Sequence, residues 1–283
     1  MVNNSKWVFE ISTEKSKFKL NFKEIYQYRD LLMLFIRRDI VSVYKQTILG
    51  PLWYFISPLL ASFTQYIVFG RIAELPSDGA PYFIFVLSGN VLWSYFSTSL
   101  NGTSSTFNAN QGIFGKVYFP RAIVPISITV SNLFQFSIKL MLLVFFILIM
   151  GVFGQINAWV FSLPLLIIIM AMTSMGIGMI ISALTTKYRD VSQLMSFAIG
   201  LFMYITPVIY PTSIFLNKLP DDKEWMIYAN PLTSVFDVFH KAFLGVGHIN
   251  FYGLGYSCAF AIVVYICGLY IFNRVERTFM DTI

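Results

Sequence analysis

Charge is what this chain lacks most. Only 12% of its 283 residues are Asp, Glu, Lys or Arg, against about 25% in a soluble domain. That deficit excludes a soluble globule. Cysteine is nearly absent too. Cys258 and Cys267 both fall in the last apolar stretch, so a disulfide framework is excluded and zinc-type spacing is missing. The two histidines, His240 and His248, offer no metal cluster. Neither a metal nor an organic cofactor is therefore expected on this chain. There is no Gly-x-x-x-x-Gly-Lys-Ser/Thr phosphate loop either. Gly115-Lys116 is followed by Val117 and lacks the upstream glycine. The first 45 residues mix polar and apolar side chains, without the short apolar core and small-residue cleavage site of a secretory signal.

What the chain has instead is long uncharged stretches. Runs free of Asp, Glu, Lys and Arg cover 46–70, 79–115, 122–138, 140–186, 191–217 and 242–273. A membrane-spanning helix needs roughly 20 apolar residues. The 140–186 run is long enough for two spans around a turn at Gly151-Val152-Phe153-Gly154. These runs predict an all-α integral membrane protein with six transmembrane helices, at about 51–70, 82–102, 126–150, 160–184, 193–210 and 254–273. An even number of spans puts both termini on one side. Fifteen of the 20 Lys and Arg then fall in 1–50, 103–122, 185–192 and 274–283, and four fall in the opposite loops. Lys and Arg favour the cytoplasmic side, so both termini are expected in the cytoplasm. The net charge of +6 reads as this bias together with attraction to anionic lipid. It is spread over several loops, which argues against nucleic-acid binding.

The expected organisation is a cytoplasmic tail (1–21), an amphipathic interface helix (22–45), a six-helix transmembrane domain (46–273) and a cytoplasmic C-terminus (274–283). In 22–45, Phe22, Ile25, Tyr26, Leu32, Met33, Ile36, Ile40, Val43 and Tyr44 fall on one helical face. Arg37, Arg38 and Lys45 fall elsewhere and can reach lipid headgroups. Gly50-Pro51 then opens the first span, because proline is well tolerated in a helix's first turn. The segment 211–253 is too polar to span and too apolar to float in water. Short re-entrant or gate helices fit it, provided protein buries their irregular backbone.

Five stretches carry a family resemblance. They are Arg38-Asp39 with Tyr44-Lys45-Gln46-Thr47-Ile48-Leu49-Gly50-Pro51-Leu52-Trp53; Pro76-Ser77-Asp78-Gly79 with Pro81-Tyr82; Asn108-Ala109-Asn110 followed by Lys116-Val117-Tyr118-Phe119-Pro120-Arg121; Lys187-Tyr188-Arg189-Asp190-Val191; and Asn230-Pro231-Leu232. In this order they resemble the membrane subunits of bacterial polysaccharide ABC exporters. These are the ABC-2-type permeases that export O-antigen, capsule and teichoic acid chains, and the resemblance covers about 28–273. It implies a homodimeric pore in the bacterial cytoplasmic (inner) membrane. Each half would contribute six helices and bind one cytoplasmic ATPase subunit, which binds the ATP and Mg. An undecaprenyl-linked polysaccharide would enter from the inner leaflet between the first and fifth spans. The resemblance makes 107–121 and 185–192 the coupling segments to the ATPase, and 211–253 the outer gate.

Candidate sites follow. For ATPase coupling they are Phe114, Lys116, Tyr118, Phe119 and Arg121, with Tyr188, Arg189 and Asp190 as a second contact. Lys116 and Arg121 could instead merely enforce topology, and Arg189 and Asp190 could cap the helices beside them. For the glycan conduit they are Tyr54, Phe55, Phe63 and Tyr66 in the first span, Lys139 in the third, and Phe197, Phe202 and Tyr204 in the fifth. Aromatics make up 18% of the chain, and sugar faces stack on aromatic rings. The competing reading has phenylalanine facing lipid, with Trp and Tyr forming interfacial belts. Lys139 sits mid-span, where a charge costs at least ~2.5 kcal/mol. It either lines a water-filled conduit or snorkels and pairs with backbone carbonyls. Two rival functions stay open at this point. One is an ABC-2-type permease for lipid or drug cargo. The other is a membrane glycosyl- or acyltransferase using Asp221, Asp222, Glu224, Asp237, His240 or His248.

Overall fold

The computed structural model describes residues 26–42, 45, 50–114, 116–117, 119–188, 190–218, 220 and 223–279, and among them helix is the only regular secondary structure. Helix α1 (Arg29–Ser42) comes first. A 3-10 turn (Gly50–Leu52) then leads into α2 (Trp53–Gln65), which continues as a π-helical stretch (Tyr66–Ile72). Next come α3 (Tyr82–Ser104), two single turns α4 (Thr106–Ala109) and α5 (Gln111–Phe114), α6 (Ile123–Ile149) and α7 (Leu163–Thr185). Helix α8 (Asp190–Ile205) precedes the short α9 (Ser213–Leu216), α10 (Trp225–Tyr228) and α11 (Thr233–Leu244), and α12 (Phe251–Phe279) closes the fold. The tail 1–21, and Phe22, Ile25, Val43, Tyr44, Tyr118 and Arg189, lie outside the described residues.

Among the described residues, five helical stretches are long and apolar enough to cross a bilayer: Trp53–Ile72, Tyr82–Ser104, Ile123–Ile149, Ala158–Thr185 and Phe251–Glu276. The stretch expected as a fifth span at 193–210 differs. Helix α8 has 16 residues, about 24 Å at 1.5 Å per residue, and the hydrocarbon layer is about 30 Å thick. Pro207 sets its end, because the residue before a proline is pushed out of the helical region. Helix α8 nonetheless joins the same two ends as its neighbours. It starts just beyond Thr185, whose hydroxyl donates to the Ser104 carbonyl at 3.4 Å. It ends at Thr206, which accepts from the Asn230 amide at 3.0 Å.

Helix α3 is the centre of the bundle. Its apolar window is 78% buried, against 11% for the first span and 17% for the last. Helices α2, α6, α7, α8 and α11 all pack on it. Helices α7 and α12 meet at backbone distance. A Cβ at Gly268 would fall 2.3 Å from the Gly176 carbonyl oxygen, and one at Gly176 would fall 2.7 Å from the Tyr265 nitrogen. Lipid tails are as apolar as leucine, so helices in a membrane gain from close backbone approach, which small residues permit.

Helix α1 lies against α6 with Tyr28, Leu31, Leu32 and Phe35 turned inward. Of the expected apolar face, Leu32, Ile36 and Ile40 are half-buried, whereas Tyr26 and Met33 are exposed. The physical reason is that α1 is apolar on more than one side, so periodicity alone does not choose a face. Phe119 chooses it, meeting Phe35 edge to face at 5.7 Å. The face around Tyr26, Met33 and Leu34 stays uncovered.

Candidate functional site

One end of the bundle gathers α1, the 105–122 segment, the end of α7 and the end of α12. Asn110 folds its amide back onto the Thr106 carbonyl at 3.0 Å, which closes the α4 turn. Phe107 donates its backbone N–H to Ser182 on α7 at 3.2 Å and stacks on Phe272 of α12 at 4.5 Å. The chain of rings continues from Phe107 to Phe114 (6.0 Å), Phe119 (5.7 Å) and Phe35 (5.7 Å). Arg121 is only 5% exposed. Its guanidinium lies over the Phe114 ring at 5.2 Å and donates to the Glu276 carbonyl at 2.9 Å. Burial draws its pKa below the ordinary arginine range, while the Glu276 carboxylate opposes that shift.

This geometry divides the expected coupling residues into two groups. Phe114, Phe119 and Arg121 point into the molecule and hold the segment onto α1 and α12. Ile113, Lys116, Val117 and Tyr188 are exposed, as is Asp190 in the first turn of α8, where a carboxylate suits the helix dipole. Lys187 reaches over the Tyr188 ring at 5.3 Å. On α1, Arg37 is exposed, and Arg38 covers the Phe35 ring at 4.7 Å while pairing with Asp39 at 2.8 Å. Lys45 is exposed. Phe107 is the residue that sequence reading missed. Nothing in its local pattern separates it from the other phenylalanines.

The conduit candidates are dispersed. Tyr54 is buried and Phe55 half-buried, whereas Phe63, Phe197 and Tyr204 are exposed on α2 and α8. Tyr66 is fixed edge to face with Phe83 at 6.1 Å and accepts from Arg71 at 2.8 Å. Phe202 turns inward between Trp93 (6.0 Å) and Phe96 (6.3 Å). Lys139 is half-buried, and its ammonium donates to the Ser94 hydroxyl of α3. Ser94 opens a polar strip that continues through the bundle. Asn132 donates to Ser99 at 3.3 Å, and Asn90 donates to Ser62 at 2.8 Å and Gln65 at 2.7 Å. Such bonds tie α3 to α2 and α6. The lone amides Asn90 and Asn132 in apolar runs were the available signal for them.

The opposite end joins three loops. Ser213 donates to Asp78 at 2.6 Å, and the Tyr82 hydroxyl donates to the Ile209 carbonyl at 2.8 Å. Asn230 accepts from the Leu232 N–H at 3.0 Å while donating to Thr206, which gives the Asn230-Pro231-Leu232 stretch its turn. Asn157 donates to the Lys241 carbonyl at 2.8 Å. Beneath this cover lies a buried polar pair on α11. Asp237 accepts from Thr212 at 2.9 Å, and burial pushes its carboxyl up to about 8. His240 stacks on Phe85 at 4.2 Å, and burial pulls it down to about 3. The second Asp237 oxygen and His240 Nε2 have no hydrogen-bond partner. Both side chains are enclosed, so neither meets a substrate in this arrangement. Asp221 and Asp222 lie outside the described residues, and Glu224 and His248 are exposed. No group of three His, Cys, Asp or Glu that could hold a metal occurs among the described residues.

Comparison with known proteins gives a consistent result. Residues 30–244 match the ABC-2 type transporter family. The chain is 28% identical over 265 residues to an O-antigen export system permease protein RfbA of Klebsiella pneumoniae, covering 94% of this chain and 98% of that protein. It is 30% identical over 223 residues to the RfbA protein of Myxococcus xanthus, covering 78% and 83%. It is 22% identical over 249 residues to the polysialic acid transport protein KpsM of Escherichia coli, covering 87% and 93%.

Proposed function

Because this chain belongs to the ABC-2 type transporter family, we propose that it is the membrane permease subunit of an exporter that carries a lipid-linked polysaccharide across the cytoplasmic membrane. The observation that carries this reading is the near end-to-end match to O-antigen export permeases, over 94% of this chain and 98% of the relative. A separate ATPase subunit supplies the energy, in keeping with the missing phosphate loop. The end that gathers α1, 105–122 and 185–190 faces the cytoplasm, in keeping with the Lys and Arg distribution. There the exposed Ile113, Lys116, Val117, Tyr188 and Asp190 form the surface that meets the ATPase.

Two copies of the chain enclose the conduit. In support of that, α2 and α8 leave large rings and aliphatic side chains uncovered, among them Phe63, Phe197, Leu201 and Tyr204. These rings pass an undecaprenyl-linked glycan by stacking, with few hydrogen bonds to hold it. The segment 211–253 closes the outer end.

The test is genetic and biochemical. Deleting the gene abolishes surface polysaccharide and leaves lipid-linked glycan inside the cell, and a plasmid copy restores export. The purified chain binds the ATPase encoded beside it as a two-plus-two complex, and Val117→Asp or Lys116→Glu breaks that complex. Unchanged surface polysaccharide in the deletion strain, with a changed lipid or drug efflux, would assign a different cargo. A chain that binds no ATPase would overturn the transporter reading.

A further inference from the structure

The end opposite the coupling segment carries an open cleft of about 530 Å³ between α9, α10 and the start of α12. Its volume lies in the range of small-ligand pockets, about 300–1,000 Å³. Asn217, Glu224, Tyr228, His248 and Asn250 contribute polar groups, and Tyr252 stands at its rim. Structural duties account for only part of this set. Asn250 caps α12, accepting from the Gly253 N–H at 3.0 Å, and its side chain also reaches the Tyr228 phenol. Tyr228 is buried and therefore fixed in place. Asn217, Glu224 and His248 are exposed, and Tyr252 is 94% exposed. A carboxylate, two amides and an imidazole beside an uncovered ring offer both donors and acceptors around a flat apolar face. That is the chemistry that recognises a sugar, which has hydroxyls around its edge and C–H groups on its face.

We propose that this cleft is a binding subsite for one or two sugar units of the polysaccharide as it leaves the permease. The inference rests on the polysaccharide-export reading above and goes further, by placing a contact for the emerging chain on α9, α10 and α12 outside the conduit. A subsite here would hold the leading sugars at the exit and oppose backsliding between ATP-driven steps. The competing occupant is the lipid headgroup layer, where exposed Tyr and Trp rings also settle. The concave placement and the ring of hydrogen-bonding groups favour sugar, since an interfacial anchor needs only a ring on a convex face.

Cysteine protection tests it. Asn217→Cys is placed in a full-length chain carrying Cys258→Ser and Cys267→Ser, expressed with its ATPase. Spheroplasts are treated with a membrane-impermeant maleimide, with polysaccharide synthesis either on or blocked. The expected result is labelling several-fold slower when polysaccharide is being made. Adding Tyr252→Ala or Glu224→Gln restores fast labelling, and Tyr252→Phe, which keeps the ring, keeps the protection. Equal labelling with synthesis on or off overturns the proposal. So does protection that survives both Tyr252→Ala and Glu224→Gln, because shielding would then come from movement of the cover. Labelling that follows lipid composition and ignores synthesis assigns the rings to the membrane. Complementation of the deletion strain reads the export function separately, so a chain that exports but shows no protection retains its function and loses only the subsite.

Discussion

Arg121→Met separates an internal staple from a partner contact. The arginine donates to the Glu276 carbonyl, in the last turn of α12. The final carbonyls of a helix have no intrahelical donor, and a cation there also opposes the helix dipole, worth about 0.3–1 kcal/mol. A hydrogen bond from a charged group contributes about 1.5–3 kcal/mol, and the contact with the Phe114 ring, at 5.2 Å, about 0.5–2 kcal/mol. Methionine keeps the apolar bulk and releases the desolvation cost of a buried guanidinium. The net loss is therefore on the order of 2 kcal/mol. The assay is thermal denaturation of the purified chain in detergent, followed by size-exclusion fluorescence, beside ATPase co-purification. Arg121→Met is expected to lower the midpoint by several degrees and to weaken ATPase binding as a consequence. Val117→Asp and Lys116→Glu, on the exposed side of the same segment, are expected to abolish ATPase binding with the midpoint unchanged. An Arg121→Met chain that melts like the parent yet binds no ATPase would refute the assignment of Arg121 as a staple.

Stability should also depend on pH through α11. The Asp237 carboxyl is raised to about 8 in the fold, so the folded state binds more protons than the unfolded one between about pH 4 and 8. Stability from this group rises as pH falls through that window. His240 is held near 3, so its contribution falls once pH drops below about 6.5. The denaturation midpoint is expected to rise from pH 8 to 6.5 and then to flatten. Asp237→Asn removes the rise, and a midpoint insensitive to pH in the parent contradicts both assignments. Gly268→Leu is expected to cost more than the about 1–3 kcal/mol of ordinary overpacking, because a Cβ there meets backbone at 2.3 Å. Loss of folded protein on expression is the readout, and a normal yield of stable chain would refute the close crossing. Lys139→Met probes the conduit. Reduced export at normal abundance is expected if Lys139 meets cargo, and unchanged export assigns the lysine to its Ser94 partner alone.

The order of helices was legible in the sequence because spans announce themselves by composition. Each of the six stretches expected to span overlaps one helix, with boundaries moved by a few residues. The 193–210 span shrank to Asp190–Ile205, and Pro207 had marked that limit. The motifs were legible as landmarks, but their partners were not. Nothing near Asp78 in sequence points to Ser213, and nothing near Arg121 points to Glu276, 155 residues away. The inward face of α1 was legible only in part for a related cause. With apolar residues on two sides, its pattern allowed either Met33 or Phe35 to point inward.

By itself the sequence determined that the chain belongs in a membrane, where its uncharged runs lie, and how its cations are distributed between them. These are properties of composition along the chain, and a hydrocarbon solvent reads them residue by residue. Only the tertiary structure decided which aromatic rings and which cations turn inward. A helix surrounded by lipid and protein alike is apolar on every side, so its own periodicity carries no direction. The neighbour that approaches closest, as Gly176 does at Gly268, supplies it.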